Sequence, residues 1–167
     1  MYVLDTNILI YFFKGLGNVG QKILSESPKN IGIPAIVFYE LEVGIKKSQS
    51  PQKRMKQLND FISVVNVLPF GKAEAKASAE IRAQLEKRGT PIGQYDILIA
   101  GTALANQATL VTHNSDEFKR IKNLDVITRS DGVRYLICRR CTEPMKNWNT
   151  NYDNFAIKGQ RRFWPVA

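Results

Sequence analysis

Three acidic residues stand where a chain of alternating strands and helices places chemistry. Asp5 directly follows the apolar run Tyr2-Val3-Leu4, Glu40 lies within Phe38-Tyr39-Glu40-Leu41, and Asp96 precedes Ile97-Leu98-Ile99. A carboxylate among apolar neighbours is expensive to bury without a partner, and few basic residues lie beside these three in sequence. Taken singly, each has a plainer reading: Asp5 as a helix N-cap, Glu40 as a solvated helix residue, Asp96 as a cap beside Tyr95. Gathered at one end of a sheet, they would repel one another and raise their own pKa values unless a hard divalent cation bound between them. Mg2+ or Mn2+ is the natural occupant. The polar run His113-Asn114-Ser115-Asp116-Glu117 offers a fourth member. His113 is the single histidine, so paired-histidine ribonuclease chemistry and multi-histidine metal sites are excluded. Any hydrolysis here must rest on carboxylates.

The elements that would position these side chains follow from periodicity. Tyr2 to Leu4 reads as a short strand ending at Asp5, and Thr6 or Asn7 can cap a helix carrying Ile8 to Phe13, stopped by Gly15 and Gly17. A second helix is expected over Val19 to Ser27 and a second strand over Ile31 to Ile33. Pro34 stands near the first turn of a third helix with Ile36, Val37, Leu41 and Ile45 on one face and Gly44 near its end. Pro51 opens an amphipathic helix to about Phe61, and the β-branched Val64, Val65 and Val67 predict a central strand closed by Pro69 and Gly71. Lys72 to Lys87 has strong helix propensity, Gly93 precedes a further helix from Tyr95 to Ala105, and Ala108 to Thr112 reads as a buried strand. Short strands alternating with long helices require crossover connections. The expected fold is therefore α/β: three layers, α/β/α, around a short central parallel sheet. Ligands in such sheets bind beyond the carboxyl ends of the strands, the address that Asp5 holds.

A length of 167 residues, with 44% hydrophobic and 23% charged, suits one compact core and excludes disorder as the main state. The longest apolar run, Ile8 to Phe13, is far short of the roughly 20 residues that span a bilayer. Asp5 interrupts the stretch that a signal peptide would need, so a cytoplasmic location without membrane attachment is expected. With 24 Lys and Arg against 15 Asp and Glu, the net charge of +9 favours a polyanionic partner, nucleic acid first.

Four segments carry a family resemblance: Tyr2-Val3-Leu4-Asp5-Thr6-Asn7; Tyr39-Glu40-Leu41-Glu42-Val43-Gly44; Asp96-Ile97-Leu98-Ile99-Ala100 with Ala103; and Val111-Thr112-His113-Asn114-Ser115-Asp116-Glu117-Phe118. In this order and spacing, from Met1 to about Ile127, the chain resembles the PIN-domain ribonucleases, and within them the VapC toxins of type II toxin–antitoxin modules. The resemblance implies a PIN-like fold over residues 1–130 and catalytic acids at Asp5, Glu40 (rather than Glu42) and Asp96, with Thr6 and Thr112 as nearby hydroxyls. It departs at Asn114, where family members often carry Asp; Asn114 and Glu117 are assigned as supporting residues. The implied chemistry is metal-assisted phosphodiester hydrolysis, with Mg2+ or Mn2+ held by Asp5 and Asp96 and Glu40 orienting water or completing the metal shell. Arg82, Lys87, Arg88, Lys119 and Arg120 are candidates to draw an RNA backbone towards an anionic site. The resemblance further implies a cognate antitoxin protein covering the acids and a homodimer, for which the aromatic stretch Tyr11-Phe12-Phe13 and the helix from Pro51 to Phe61 are candidate contact surfaces, unless those aromatics are core.

Two other classes bear on the same residues. A phosphatase using Asp5 as nucleophile would want a second Asp two residues on, where this chain has Asn7. A catalytically weak RNA-binding or partner-binding module of the same fold is kept open by Asn114. Residues 131–167 are expected to form an irregular basic, aromatic extension; from Arg129 onward the chain holds both Trp and both Cys. Cys138 and Cys141 have CxxC spacing, but a structural zinc site needs four ligands, which only a dimer-bridged arrangement could complete. Interleaved aromatics and cations, among them Arg139, Arg140, Trp148, Arg161, Arg162 and Trp164, could stack bases while neutralising phosphates, but the plainer reading, an irregular tail that packs some aromatics on the body, is favoured.

Overall fold

A computed structural model describes residues 1–128. Its elements are β1 (Tyr2–Leu4), α1 (Thr6–Lys14), α2 (Val19–Leu24), a 3-10 turn (Pro28–Asn30), β2 (Ile31–Pro34), α3 (Ala35–Lys46), α4 (Pro51–Ile62), β3 (Asn66–Leu68), α5 (Lys72–Lys87), α6 (Gln94–Ala105), β4 (Thr109–Thr112), α7 (Ser115–Phe118) and β5 (Val126–Thr128). The five strands form one sheet in the order β3-β2-β1-β4-β5, with every pairing parallel. Helices flank it, as the alternation of apolar strands and amphipathic helices requires. The expected basic, aromatic extension, with Cys138, Cys141, Trp148 and Trp164, lies outside the described residues.

The strand order fixes where a site can form. From β1 the chain steps outward to β2 and β3, then returns across the sheet to β4 and steps the other way to β5. Connections therefore diverge between β1 and β4, and right-handed crossovers send the flanking helices to opposite faces there, which opens a crevice at the strand carboxyl ends. Val3 pairs with Leu110 and Leu4 with Val111, so Asp5 and Thr112 emerge side by side at that divergence.

The core is aliphatic with an aromatic patch. Leu9, Ile33, Val37, Leu41, Leu58, Phe61, Leu110 and Phe118 are fully buried. Phe12 and Phe13 close on Phe61 at ring separations of 5.0 and 5.8 Å. Within the chain these two are thus packing residues of α1 against α4. Helices α5 and α6 meet through small residues: a Cβ added at Gly101 would stand 2.0 Å from Ser78 Oγ and 2.8 Å from its backbone N. Gly15 ends α1 in the left-handed region at φ 64°, where a side chain would be strained.

Some expectations change. Val64, Val65 and Val67 were expected to make a central strand, but β3 starts at Asn66 and occupies an edge; Val64 and Val67 are exposed. β-branched residues suit edge and central strands alike, so composition could not tell the two apart. Helix α2 ends at Leu24 rather than Ser27, and β5 carries a pairing that its three residues do not announce. Asp5, not Thr6 or Asn7, holds the N-cap position of α1: its carbonyl accepts from the Ile8 and Leu9 amides while its side chain makes no capping bond. That leaves the carboxylate available to the crevice.

Candidate active site

Asp5 is only 3% exposed, at the floor of the β1/β4 crevice. Thr112, fully buried at the end of β4, donates its hydroxyl hydrogen to Asp5 Oδ2 at 2.7 Å, and accepts the Asn114 amide at 3.0 Å. Its hydroxyl is therefore fixed at both ends, which fixes the rotamer of Asp5. Asn114 contributes through its backbone; it occupies the N-cap of α7 without a side-chain capping bond. On the other flank Thr6, at the start of α1, donates to Glu40 Oε2 of α3 at 2.5 Å. Each of the two threonines thus orients one acid.

Asp96 enters from the first turn of α6. A Cβ at Gly93 would lie 2.8 Å from Asp96 Oδ2, so the carboxylate folds back over the helix N-terminus and would have to shift if Gly93 carried a side chain. Glu117 comes from the short helix α7 and shares a hydrogen bond with Asp96. Asp116, on the same helix, is exposed.

The charges of these acids act on one another. Burial pushes the Asp5 carboxyl above its ordinary range, and the charge of Glu40 adds to the rise, while the Thr112 and Thr6 hydrogen bonds and the charge of His113 oppose it. Asp96 is pushed up to about 7, first by burial, then by Asp5, Glu117 and Glu40. The carboxylates of Asp5, Glu40, Asp96 and Glu117, from the turn after β1 and from α3, α6 and α7, therefore occupy one neighbourhood. The nearby ion pairs of the helices, Lys56 with Asp60 and Arg82 with Glu86, lie on the exposed faces of α4 and α5.

The donors fit a hard divalent cation: all are carboxylate oxygens, partly or wholly withdrawn from water, with net repulsion that a cation would relieve. Among the described residues, no group of three or more His, Cys, Asp or Glu side chains is arranged to hold an ion unaided. Mg2+ suits such a partial set, since it keeps waters and substrate oxygens in its shell.

Two tyrosines lie next to acids of the cluster in sequence. Tyr39 and Tyr95 each directly precede an acid of the cluster, and their rings meet at 6.0 Å across α3 and α6. The signal available in sequence was the shared pattern Tyr followed by acid, on two elements expected to be helical. Of the candidate backbone-binding cations, Arg88 reaches the Arg120 carbonyl at 3.3 Å, which joins the end of α5 to the turn after α7, whereas Arg82 is engaged by Glu86.

Comparison with known proteins agrees with this architecture. Residues 2–124 match the PIN domain. Ribonuclease VapC2 of Rickettsia felis is 39% identical over 126 residues, spanning 74% of this chain and 94% of the relative. The tRNA(fMet)-specific endonuclease VapC of Shigella flexneri is 32% identical over 123 residues, spanning 74% and 93%. Among solved structures, VapBC2 from Rickettsia felis bound to a promoter DNA fragment superposes with a TM-score of 0.69 at 36% identity, covering 76% of this chain and 97% of that one. DNA-bound VapBC from Salmonella typhimurium gives a TM-score of 0.72 at 32% identity, covering 76% and 96%. The chain belongs to the PIN-domain family and, within it, to the VapC ribonucleases. Among the described residues, no helix is long and apolar enough to cross a membrane.

Proposed function

We propose that the chain is a divalent-metal-dependent endoribonuclease that hydrolyses RNA phosphodiesters and acts as the toxin of a type II toxin–antitoxin module. The observation that carries this reading is the meeting of Asp5, Glu40, Asp96 and Glu117 at the divergence of β1 and β4, with Asp96 pushed up to about 7 by its neighbours. Asp5 and Asp96 would hold Mg2+ or Mn2+, which when bound supplies charge neutralisation and lowers the pKa of coordinated water. Thr112 and the Thr6 amide donate hydrogen bonds to Asp5 that favour its ionised form against the upward push of burial. Glu40, held through Oε2 by the Thr6 hydroxyl, would orient the attacking water or complete the metal shell. Glu117 shares its hydrogen bond with Asp96 and sets the orientation of that carboxylate. The chain's excess of Lys and Arg draws the RNA backbone to a site that would otherwise repel it.

Support for a partner comes from the VapBC complexes among the structural relatives, and from a further relative described as a toxin–antitoxin complex from Klebsiella pneumoniae. By that analogy a cognate antitoxin covers the acids, the toxin forms a homodimer, and the protein acts in the cytoplasm. The deciding experiment incubates the purified full chain and its Asp5→Asn variant with total cellular RNA in Mg2+, in Mn2+ and in EDTA. Metal-dependent products from wild type alone support the enzyme. Equal products from both, or none with either ion, reject it and leave a binding module of the same fold.

A further inference from the structure

Tyr39 and Tyr95 are 50% and 46% exposed; the other exposed large apolar side chains among the described residues, Met1, Leu16, Val64 and Val67, are all aliphatic. Aromatic rings are costly to leave in water, and the other Phe and Tyr rings among the described residues are at least partly withdrawn: Phe12, Phe13 and Phe61 pack together within the body. The two tyrosines come from different helices and meet edge to face, with centroids 6.0 Å apart and planes inclined at 61°. Such a pair stabilises the approach of α3 to α6 while leaving ring surface free. Its position is specific. Each tyrosine is one residue before an acid of the site, Glu40 or Asp96, and the Tyr95 phenol is pushed above its ordinary range first by its hydrogen bond with Tyr39 and last by the charge of Glu40.

We propose that Tyr39 and Tyr95 form a nucleobase platform at the rim of the acid cluster, taking an unpaired base beside the scissile phosphate and thereby selecting single-stranded RNA. The proposal rests on the reading of the acid cluster as an RNA-cleaving site. Three considerations favour a base as the occupant. A nucleobase is planar and uncharged, so it can lie beside four carboxylates where an acidic peptide or a bare phosphate would be repelled. Stacking tolerates every base identity because each has a π face, which suits an enzyme that locates its phosphate by shape. Tyrosine rings held on helices have few torsions left to order, so stacking on them sacrifices little entropy. A base paired within a duplex has both faces covered and cannot reach the platform without being splayed out.

The test uses the full chain carrying Asp5→Asn for equilibrium binding and the otherwise wild-type chain for kinetics. The probes are random-sequence single-stranded RNA dodecamers and the same strands annealed to their complements. Tyr39→Leu and Tyr95→Leu should each weaken single-strand binding by about five- to hundredfold, with the salt dependence unchanged because no phosphate contact is lost. Duplex binding should not move, and cleavage should suffer mainly through KM. Tyr39→Phe and Tyr95→Phe, which keep both rings, should restore single-strand binding and KM, and every variant is compared at a temperature where circular dichroism shows it fully folded, because the leucine variants also lose ring packing between α3 and α6. Leucine variants that bind single strands like the parent overturn the platform and leave the nuclease intact. Equal losses on single strands and duplex also overturn it. So do leucine variants that keep RNA affinity but no longer co-purify with an antitoxin, which would assign the surface to a protein. A wild-type chain that cuts no RNA with Mg2+ or Mn2+ defeats the nuclease reading and the platform together.

Discussion

Replacing Asp96 with Asn should stabilise the metal-free protein above neutral pH even as it abolishes cleavage. The carboxyl of Asp96 is raised from an ordinary 3.8 to about 7 by burial and by Asp5, Glu117 and Glu40. Below pH 4 it is protonated in both folded and unfolded chains and contributes no difference. Between those values the unfolded chain releases the proton while the folded chain keeps it, so stability falls as pH rises and the loss is complete above the folded pKa. A shift of this size corresponds to a ceiling of about 4 kcal/mol. Asp96 is only half-buried, and solvent screening reduces the ceiling to about 1–2 kcal/mol. Asparagine mimics the protonated carboxyl and also removes one of the charges that burden Asp5, which acts in the same direction. For a chain of this length that is about 3–8 °C in Tm. Thermal unfolding followed by circular dichroism in EDTA at pH 8 measures it, and the gain should shrink towards zero as pH falls to 4. Adding Mg2+ should reverse the order, because the wild-type site then gains stability from a ligand that only the folded state binds. An Asn variant no more stable than wild type at pH 8, or one equally stabilised at every pH, would refute the mutual repulsion assigned to the cluster.

Two further substitutions test its supports. Thr112→Val removes the donor to Asp5 Oδ2 and the acceptor of the Asn114 amide; cleavage should drop about 10–100-fold and stability by about 1–3 kcal/mol, read by initial rates and urea unfolding. Gly101→Ala drives a Cβ to 2.0 Å from Ser78 Oγ and 2.8 Å from its backbone N. Forcing α5 from α6 in this way should cost about 1–3 kcal/mol, and adding Ser78→Ala should recover only part of it because the backbone contact remains; unchanged urea midpoints would show that the helices separate freely.

The helices over Lys72–Lys87 and Gln94–Ala105 and the strands ending at Leu4 and Thr112 were legible because each depends on neighbours a few residues away. The same local patterns misplaced the strand at Val67, since edge and centre differ only in what lies alongside. Asp5, Glu40 and Asp96 were recognisable as acids out of place among apolar residues. Glu117 was singled out over Asp116 by the family resemblance alone; that it faces Asp96 depends on the orientation of a single turn of helix, α7, which no period of so short a segment can encode.

Residue types and local spacing alone settled that hydrolysis here would fall to carboxylates, that strands would alternate with helices, and that a hard cation would suit the acids. Folding decided the rest: β1 beside β4 rather than beside β3, the Thr112 hydroxyl on a carboxylate 107 residues away, and two tyrosines of separate helices at the same rim. The physical reason is range. Helix and strand periods are set by neighbours along the chain, whereas the desolvation and charge that raise Asp96, and the divergence of connections that opens the crevice, arise only when remote segments are brought side by side.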